Sequence, residues 1–355
     1  MNARVKRPKQ FGVLVPPDPD WLALHQPEEI LLPDLEIVDA HHHLWDTPGL
    51  ASPGFRYLLP DFVQDLGSGH KVIATVYADC MSMYRADGPQ HLRPVGETEF
   101  AVEIGAMSRS GQYGPTQVNA GIVAYADLEL GSPVEEVLEA HIQAGNGRFK
   151  GIRYAANWDP DPGILHYQPN RRADLLKDRK VRDGLHKLKD LGLVYDSWTF
   201  FTQLDQLAEV ADAEPDLQIV MNHCGGPLGY GPYADNKAEH FAAWKTSVLN
   251  VARRPNVACK LGGILGRGAA YDFINAPIPP TSLELAVCWR PWFETCIEAF
   301  GPERCMFESN YPVEKLGTSY SVLWNAFKRI AAYTSDEEIK QLFATTARRI
   351  YTLDI

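Results

Sequence analysis

Eight short apolar runs, rich in valine, isoleucine and other strand formers, recur along the 355-residue chain, at 36–43, 72–80, 118–126, 149–154, 193–199, 217–223, 257–263 and 305–310. They are nearly continuous in apolar character rather than alternating, which suits strands buried on both faces of a parallel sheet. Helical patterns separate them, at 97–108, 134–144, 182–191, 203–213, 238–252, 283–300 and 320–332. Ser132-Pro133-Val134-Glu135 reads as a capping box with proline at the first helical position, opening the helix at 134–144. Ser335-Asp336-Glu337-Glu338 reads as a second box, opening a C-terminal helix toward Tyr351. Strands alternating with helices eight times predict an α/β fold, a single (β/α)8 TIM barrel. A doubly wound sheet uses fewer strands and a glycine-rich phosphate turn, which is not found here. The proline-rich residues 1–35 are expected to wrap the barrel as an N-terminal arm, and 36–355 to form the barrel itself.

Charge narrows the partners. The chain has 45 acidic and 34 basic side chains, a formal net charge of −11, which argues against a nucleic-acid surface built from clustered Lys and Arg. No apolar run approaches the roughly 20 residues of a membrane span, and no apolar segment follows the basic first residues as a secretory signal would require. The six cysteines show no close pairing, and a chain of this length needs no disulfide staples. The expectation is an acidic cytoplasmic protein.

The segments after the strands are long (44–71, 81–98, 155–180, 224–236 and 264–281), and those before them are short. A barrel carries its chemistry on the loops at the C-terminal ends of its strands, so the candidates are sought there. The first strand closes with Asp39-Ala40-His41-His42-His43. Side chains alternate along a strand, so His41 and His43 share a face, about 7 Å apart along it, while His42 points away. Two such imidazoles can chelate one divalent ion, and His223, at the end of the sixth strand and followed by Gly225-Gly226, completes a three-histidine set. The last strand ends Glu308-Ser309-Asn310, with Glu308 and Asn310 on one face, and the second strand ends at Asp79. Glu308 or Asp79 can ligate a metal or act as general base, whereas Asn310 can only hydrogen-bond or ligate weakly through its carbonyl. Arg85 and Arg153 at the barrel mouth can bind a substrate carboxylate bidentately, although a salt bridge within the protein explains either equally well. Trp45, Trp158 and Trp198 can line an apolar pocket or simply pack in the core, and Lys260 is either a buried charge near the site or a side chain that snorkels outward. Cys80 and Cys224 are turned away by parity and are taken as packing residues.

The stretches IVDAHHHLWD (37–46), PVGETEF (94–100), RFKGIR (148–153), NHCGGPL (222–228) and CMFESNYPVEK (305–315) carry a resemblance. Through them the chain resembles the amidohydrolase superfamily, in its amidohydrolase-related branch of barrel hydrolases, over roughly residues 35–353. The resemblance implies that His41 and His43 take the first-strand ligand positions and His223 that of a later-strand histidine. It also marks departures. The strand-eight aspartate usual in superfamily hydrolases is replaced by Asn310, and an amide cannot be a general base, so that role would pass to Glu308 or Asp79. No bridging lysine or glutamate is evident on the fourth strand. Tyr154 stands where close relatives tend to have a histidine, and Phe200-Phe201-Thr202 stands where they tend to have another. The expectation is therefore at most one divalent metal ion (Zn, Mn or Fe).

Two functions follow from the resemblance. The first is a mononuclear metal-dependent hydrolase of a lactone, ester or amide of a small carboxylic acid, with decarboxylation a related reaction in the branch. Glu308, Asp79 and Asn310 would then be the catalytic group, with Arg85, Arg153, Tyr154 and Trp45 around the carboxylate-containing substrate. The second is the metal-bearing companion subunit of a two-chain oxygenase of the same fold, acting on a small carboxylate. Either is expected to form a homo-oligomer, or a hetero-oligomer with a paralogous chain.

Overall fold

The computed structural model describes residues 16–46, 55–164, 172–265 and 273–355. Every apolar run of the sequence becomes a strand: β1 (Ile37–His42), β2 (Val72–Ala78), β3 (Gln117–Ala124), β4 (Phe149–Ala155), β5 (Val194–Trp198), β6 (Ile219–Met221), β7 (Val257–Leu261) and β8 (Cys305–Phe307). They pair in parallel in sequence order. The ring closes where His43 N–H donates to the Tyr311 carbonyl (2.7 Å) and Asn310 N–H to that of His41 (2.8 Å). Backbone bonds thus bring the residues after strand eight to the end of strand one, at the mouth of the barrel.

One helix follows each strand: α1 (Leu59–Leu66), α2 (Val95–Ser108), α3 (Val134–Gly145), α4 (Arg179–Asp190), α5 (Leu204–Ala213), α6 (Lys237–Ala252), α7 (Ser282–Phe300) and α8 (Tyr320–Ala331). This is the (β/α)8 barrel that the alternation predicts. Aromatic packing anchors the short last strand: Phe307 lies 4.7 Å from the rings of both Phe327 in α8 and Phe343. Inside the barrel, Val38, Ala74, Val76, Val123, Val220, Ala258 and Met306 form a dry layer. Tyr351 and Leu353, from the end of the chain, pack onto it. All six cysteines are free. No helix among the described residues is long and apolar enough to cross a membrane.

Local differences have local causes. α1 falls inside what reads as a loop, because Pro60 near its start looks like a breaker; there it occupies a first-turn position, and Asp61 accepts a bond from Leu58 N–H (2.9 Å). The Ser132 box does not form: Pro133 is already αR and the turn bonds begin upstream, from Val134 N–H to Gly131. The Ser335 box does form, but its helix widens over Gln341–Thr345, with Leu342 and Phe343 both buried, before Thr346–Ile350 continues it. Of the arm, residues 1–15 lie outside the described residues. Its remainder is tied to α7 and α8: Asn325 donates to the Glu29 carbonyl, Lys328 to those of Leu31 and Leu32, and Ser282 N–H to Glu28. Parts of the expected loops (47–54, 165–171 and 266–272) also lie outside the described residues.

Candidate metal and active site

Three imidazoles meet at the C-terminal mouth of the barrel. Parity along β1 does what the sequence predicts. His42 turns outward, stacking on Phe62 (4.3 Å), while His41 and His43 turn inward with their Nε2 atoms 3.2 Å apart. His43 Nδ1 lies 2.9 Å from the Ala78 carbonyl, which only accepts, so Nδ1 carries the proton and Nε2 the lone pair. His223 is carried by a tight left-handed turn, with positive φ at His223, Cys224, Gly225 and Gly226. Its ring lies 4.9 Å from that of His41.

Glycines at the end of β7 make the space. A Cβ on Gly262 would sit 2.5 Å from Glu308 Cγ, and one on Gly263 would sit 2.1 Å from His223 Nδ1. Gly263 also has a φ of +66°, which side chains rarely adopt. In that space Glu308 reaches both rings, with Oε1 2.6 Å from His223 Nδ1 and Oε2 3.0 Å from His41 Nδ1. Asn310 is set with Nδ2 donating to Glu314 Oε1 (3.2 Å), which leaves Oδ1 3.3 Å from His43 Nε2.

Two buried ion pairs flank the histidines. Arg153 donates through Nε to Asp79 Oδ1 (2.6 Å) and through its terminal nitrogen to the Asp79 carbonyl, and its Nη1 lies 3.3 Å from His41 Nε2. Deeper, Lys260 pairs with Asp196 (2.6 Å), which also accepts from Tyr351 and Asn222, and Lys260 Nζ lies 3.3 Å from His41 Nδ1. Burial, reinforced by the nearby positive charge of Lys260, holds His41 well below the ordinary imidazole value. Burial and Arg153 do the same for His43. Both rings are therefore neutral, as ligation requires. Trp45 stacks on His43 (5.2 Å) and Trp198 meets His223 edge-on (4.7 Å), so indole rings wall the mouth.

The structure thus brings together His41, His43, His223, Glu308, Asn310, Asp79, Arg153 and Trp45. It does not bring in Arg85, which is partly exposed and paired with Glu99. Nor does it bring in Tyr154, which alternates away from Arg153 and lies parallel to Tyr125 (6.3 Å). Cys80 and Cys224 are buried packing residues. Asp196, Glu97, Glu314 and the glycine pair escape a reading of the sequence. Asp196 is a charge inside an apolar run, the signal that could have found it, and Glu97 stands within PVGETEF. Glu97 Oε1 accepts from Cys80 N–H, Ser82 N–H and the Tyr77 hydroxyl, which fixes the loop carrying Asp79.

The donor set fits a divalent cation. His41, His223 and Glu308 offer ligand atoms within 4.8 Å of one another. His41 Nε2, His43 Nε2 and Asn310 Oδ1 form a second convergence, within 3.3 Å of His43 Nε2. Imidazole with one oxygen suits zinc, iron or manganese.

Comparison with known proteins agrees with this fold. The amidohydrolase family model matches residues 38–353. An uncharacterized protein of Sinorhizobium fredii, y4mH, is 31% identical over 335 residues, 90% of this chain and 99% of its own length. An L-fucono-1,5-lactonase of Burkholderia multivorans is 24% identical over 327 residues, 89% of this chain and 96% of its own. The solved structure of an amidohydrolase from Burkholderia multivorans with bound zinc matches with a TM-score of 0.67 at 23% identity, covering 89% of this chain and 99% of that one. The chain belongs to the amidohydrolase family and is a hydrolase of that type.

Proposed function

We propose that the protein is a lactonase, opening the cyclic ester of a small hydroxy acid with one divalent cation held by His41, His43 and His223. The observation that carries this reading is the convergence of neutral imidazole nitrogens with the Asn310 carbonyl at the barrel mouth. A divalent cation there supplies Lewis-acid polarisation of the lactone carbonyl. Support for a lactone comes from the relatives, which include L-fucono-1,5-lactonases and an L-rhamnono-gamma-lactonase of Scheffersomyces stipitis.

The chain's own residues supply the rest. Arg153, anchored by Asp79, places a guanidinium next to His41, where it can bind the substrate's carboxylate or the negative charge that grows on the carbonyl oxygen. Trp45 and Trp198 restrict water to the face of the imidazoles. Asn310 holds no exchangeable charge, so proton transfer falls to the carboxylates Asp79 or Glu308.

The test is hydrolysis of L-fucono-1,5-lactone and L-rhamnono-gamma-lactone by the zinc-loaded chain, followed by acid release. Turnover of at least one, with kcat/KM of about 10⁴ M⁻¹ s⁻¹ or more, is expected. Absence of turnover on both, with the metal bound, contradicts the lactonase reading. Bound iron together with a co-purifying paralogous chain would then favour the oxygenase subunit, which the Asn310 carboxamide also suits.

A further inference from the structure

Glu308 is the group whose role the two convergences leave undecided, because a carboxylate can bind a cation or orient the rings that do. The distances separate the two. Ligand atoms sharing one ion at bond lengths of about 2.1 Å in a tetrahedral array stand about 3.4 Å apart. Glu308 Oε1 lies 2.6 Å from His223 Nδ1, which is the length of a charge-assisted hydrogen bond, whereas Oε2, 3.0 Å from His41 Nδ1, makes no hydrogen bond. His223 N–H adds another donor to Oε1, at 3.2 Å. The Lys260 ammonium only donates, and at 3.3 Å from His41 Nδ1 it meets that nitrogen as an acceptor, so Glu308 orders His223 and not His41. A carboxylate only accepts, so the hydrogen bond requires a proton on Nδ1 of His223.

We infer that Glu308 is a positioning residue, which holds His223 as the Nδ1–H tautomer and so leaves its Nε2 as the lone-pair nitrogen. The Ala78 carbonyl sets His43 the same way. These two rings are then committed to one chemical form before any ligand arrives. The inference rests on the three-histidine site proposed above and refines it: Glu308 stands behind the ligands, and Asp79 is left as the carboxylate for proton transfer. The Gly262-Gly263 pair is explained by the same device, since a side chain at either position would strike Glu308 or His223.

The test is nitrogen-15 NMR of the full chain labelled at its histidine rings, near neutral pH, before and after zinc, with His223 assigned by a single substitution. In the native chain His223 is expected to show a protonated Nδ1 and an unprotonated Nε2. Glu308→Gln keeps an accepting oxygen and is expected to keep that pattern, whereas Glu308→Ala is expected to lose it. Zinc affinity is expected to fall about 10–100-fold in Glu308→Ala with the stoichiometry retained. An unprotonated Nδ1 on His223 in the native chain overturns the inference, as does a Glu308→Ala chain in which His223 keeps the native pattern or zinc no longer binds at all. The native spectrum decides even if the variant fails to fold. A chain that hydrolyses no lactone but shows this His223 tautomer would refute the lactonase and leave the role of Glu308 standing.

Discussion

At position 310 a carboxamide answers two opposite demands. Its Nδ2 donates to Glu314, and its Oδ1 faces the lone-pair nitrogen of His43. A carboxylate there would face another carboxylate 3.2 Å away, so Asn310→Asp is expected to lower stability by about 1–3 kcal/mol, the cost of a buried group left without its partner. The Asn310→Asp/Glu314→Gln double substitution should recover most of it, which urea unfolding of the single and double variants checks. In the folded double variant the new carboxylate should raise the hydrolytic rate, because it restores a base that the amide lacks. Glu97 offers a pH readout. Burial, and then the charge of Asp79, push its carboxyl from an ordinary 4.5 up to about 7. The folded state therefore holds a proton that the unfolded chain gives up, and this contribution to stability is full below about 4.5 and lost as pH rises through about 7. Glu97→Gln stays neutral, so its stability relative to the native chain is expected to rise across that window in parallel melts. A flat difference would contradict the buried, protonatable Glu97. At this scale the inward face of His41 and His43 was legible, because strand parity is local. The pairing of Arg153 with Asp79, and of Lys260 with Asp196, was not, because each joins residues from different strands.

The elements were the most legible part of the chain. Strands buried on both faces leave an unbroken apolar signature, and all eight were located by it, although Ile219–Met221 and Cys305–Phe307 are shorter than their runs. α1 was missed because its proline reads as punctuation, and the C-terminal helix hides a widened turn that no spacing announces. The end of β7 shows how an element can shape a site without touching substrate. Gly263→Ala places a methyl within 2.1 Å of His223 Nδ1 and forces a left-handed residue, costing about 1–2 kcal/mol in backbone strain. It is expected to displace His223, lowering zinc affinity at least tenfold in a competition titration while the circular dichroism stays that of the native barrel. Native zinc affinity in this variant would mean that His223 does not depend on that space.

Across the whole molecule, polarity is layered along the barrel axis. The dry valine layer lies between the end of the chain and the mouth, Tyr351 reaches through to Asp196, and the Asp196–Lys260 pair underlies His41. The scaffold therefore fixes the charges beneath the histidines and leaves variation to the loops above, as a barrel allows. The fold and the histidine set could be read from the chain because they rest on periodicity and parity. The substrate could not, since neither periodicity nor parity tells which side chains from different strands meet at the mouth. The central claim, a cation seated on the strand-end histidines, is tested most directly by elemental analysis of the chain purified without chelator, beside His41→Ala/His43→Ala. About one divalent ion per native chain, and none in the folded double variant, is the predicted result. An undiminished metal content in the variant, or a native chain that binds none when offered zinc, manganese and iron, would contradict it.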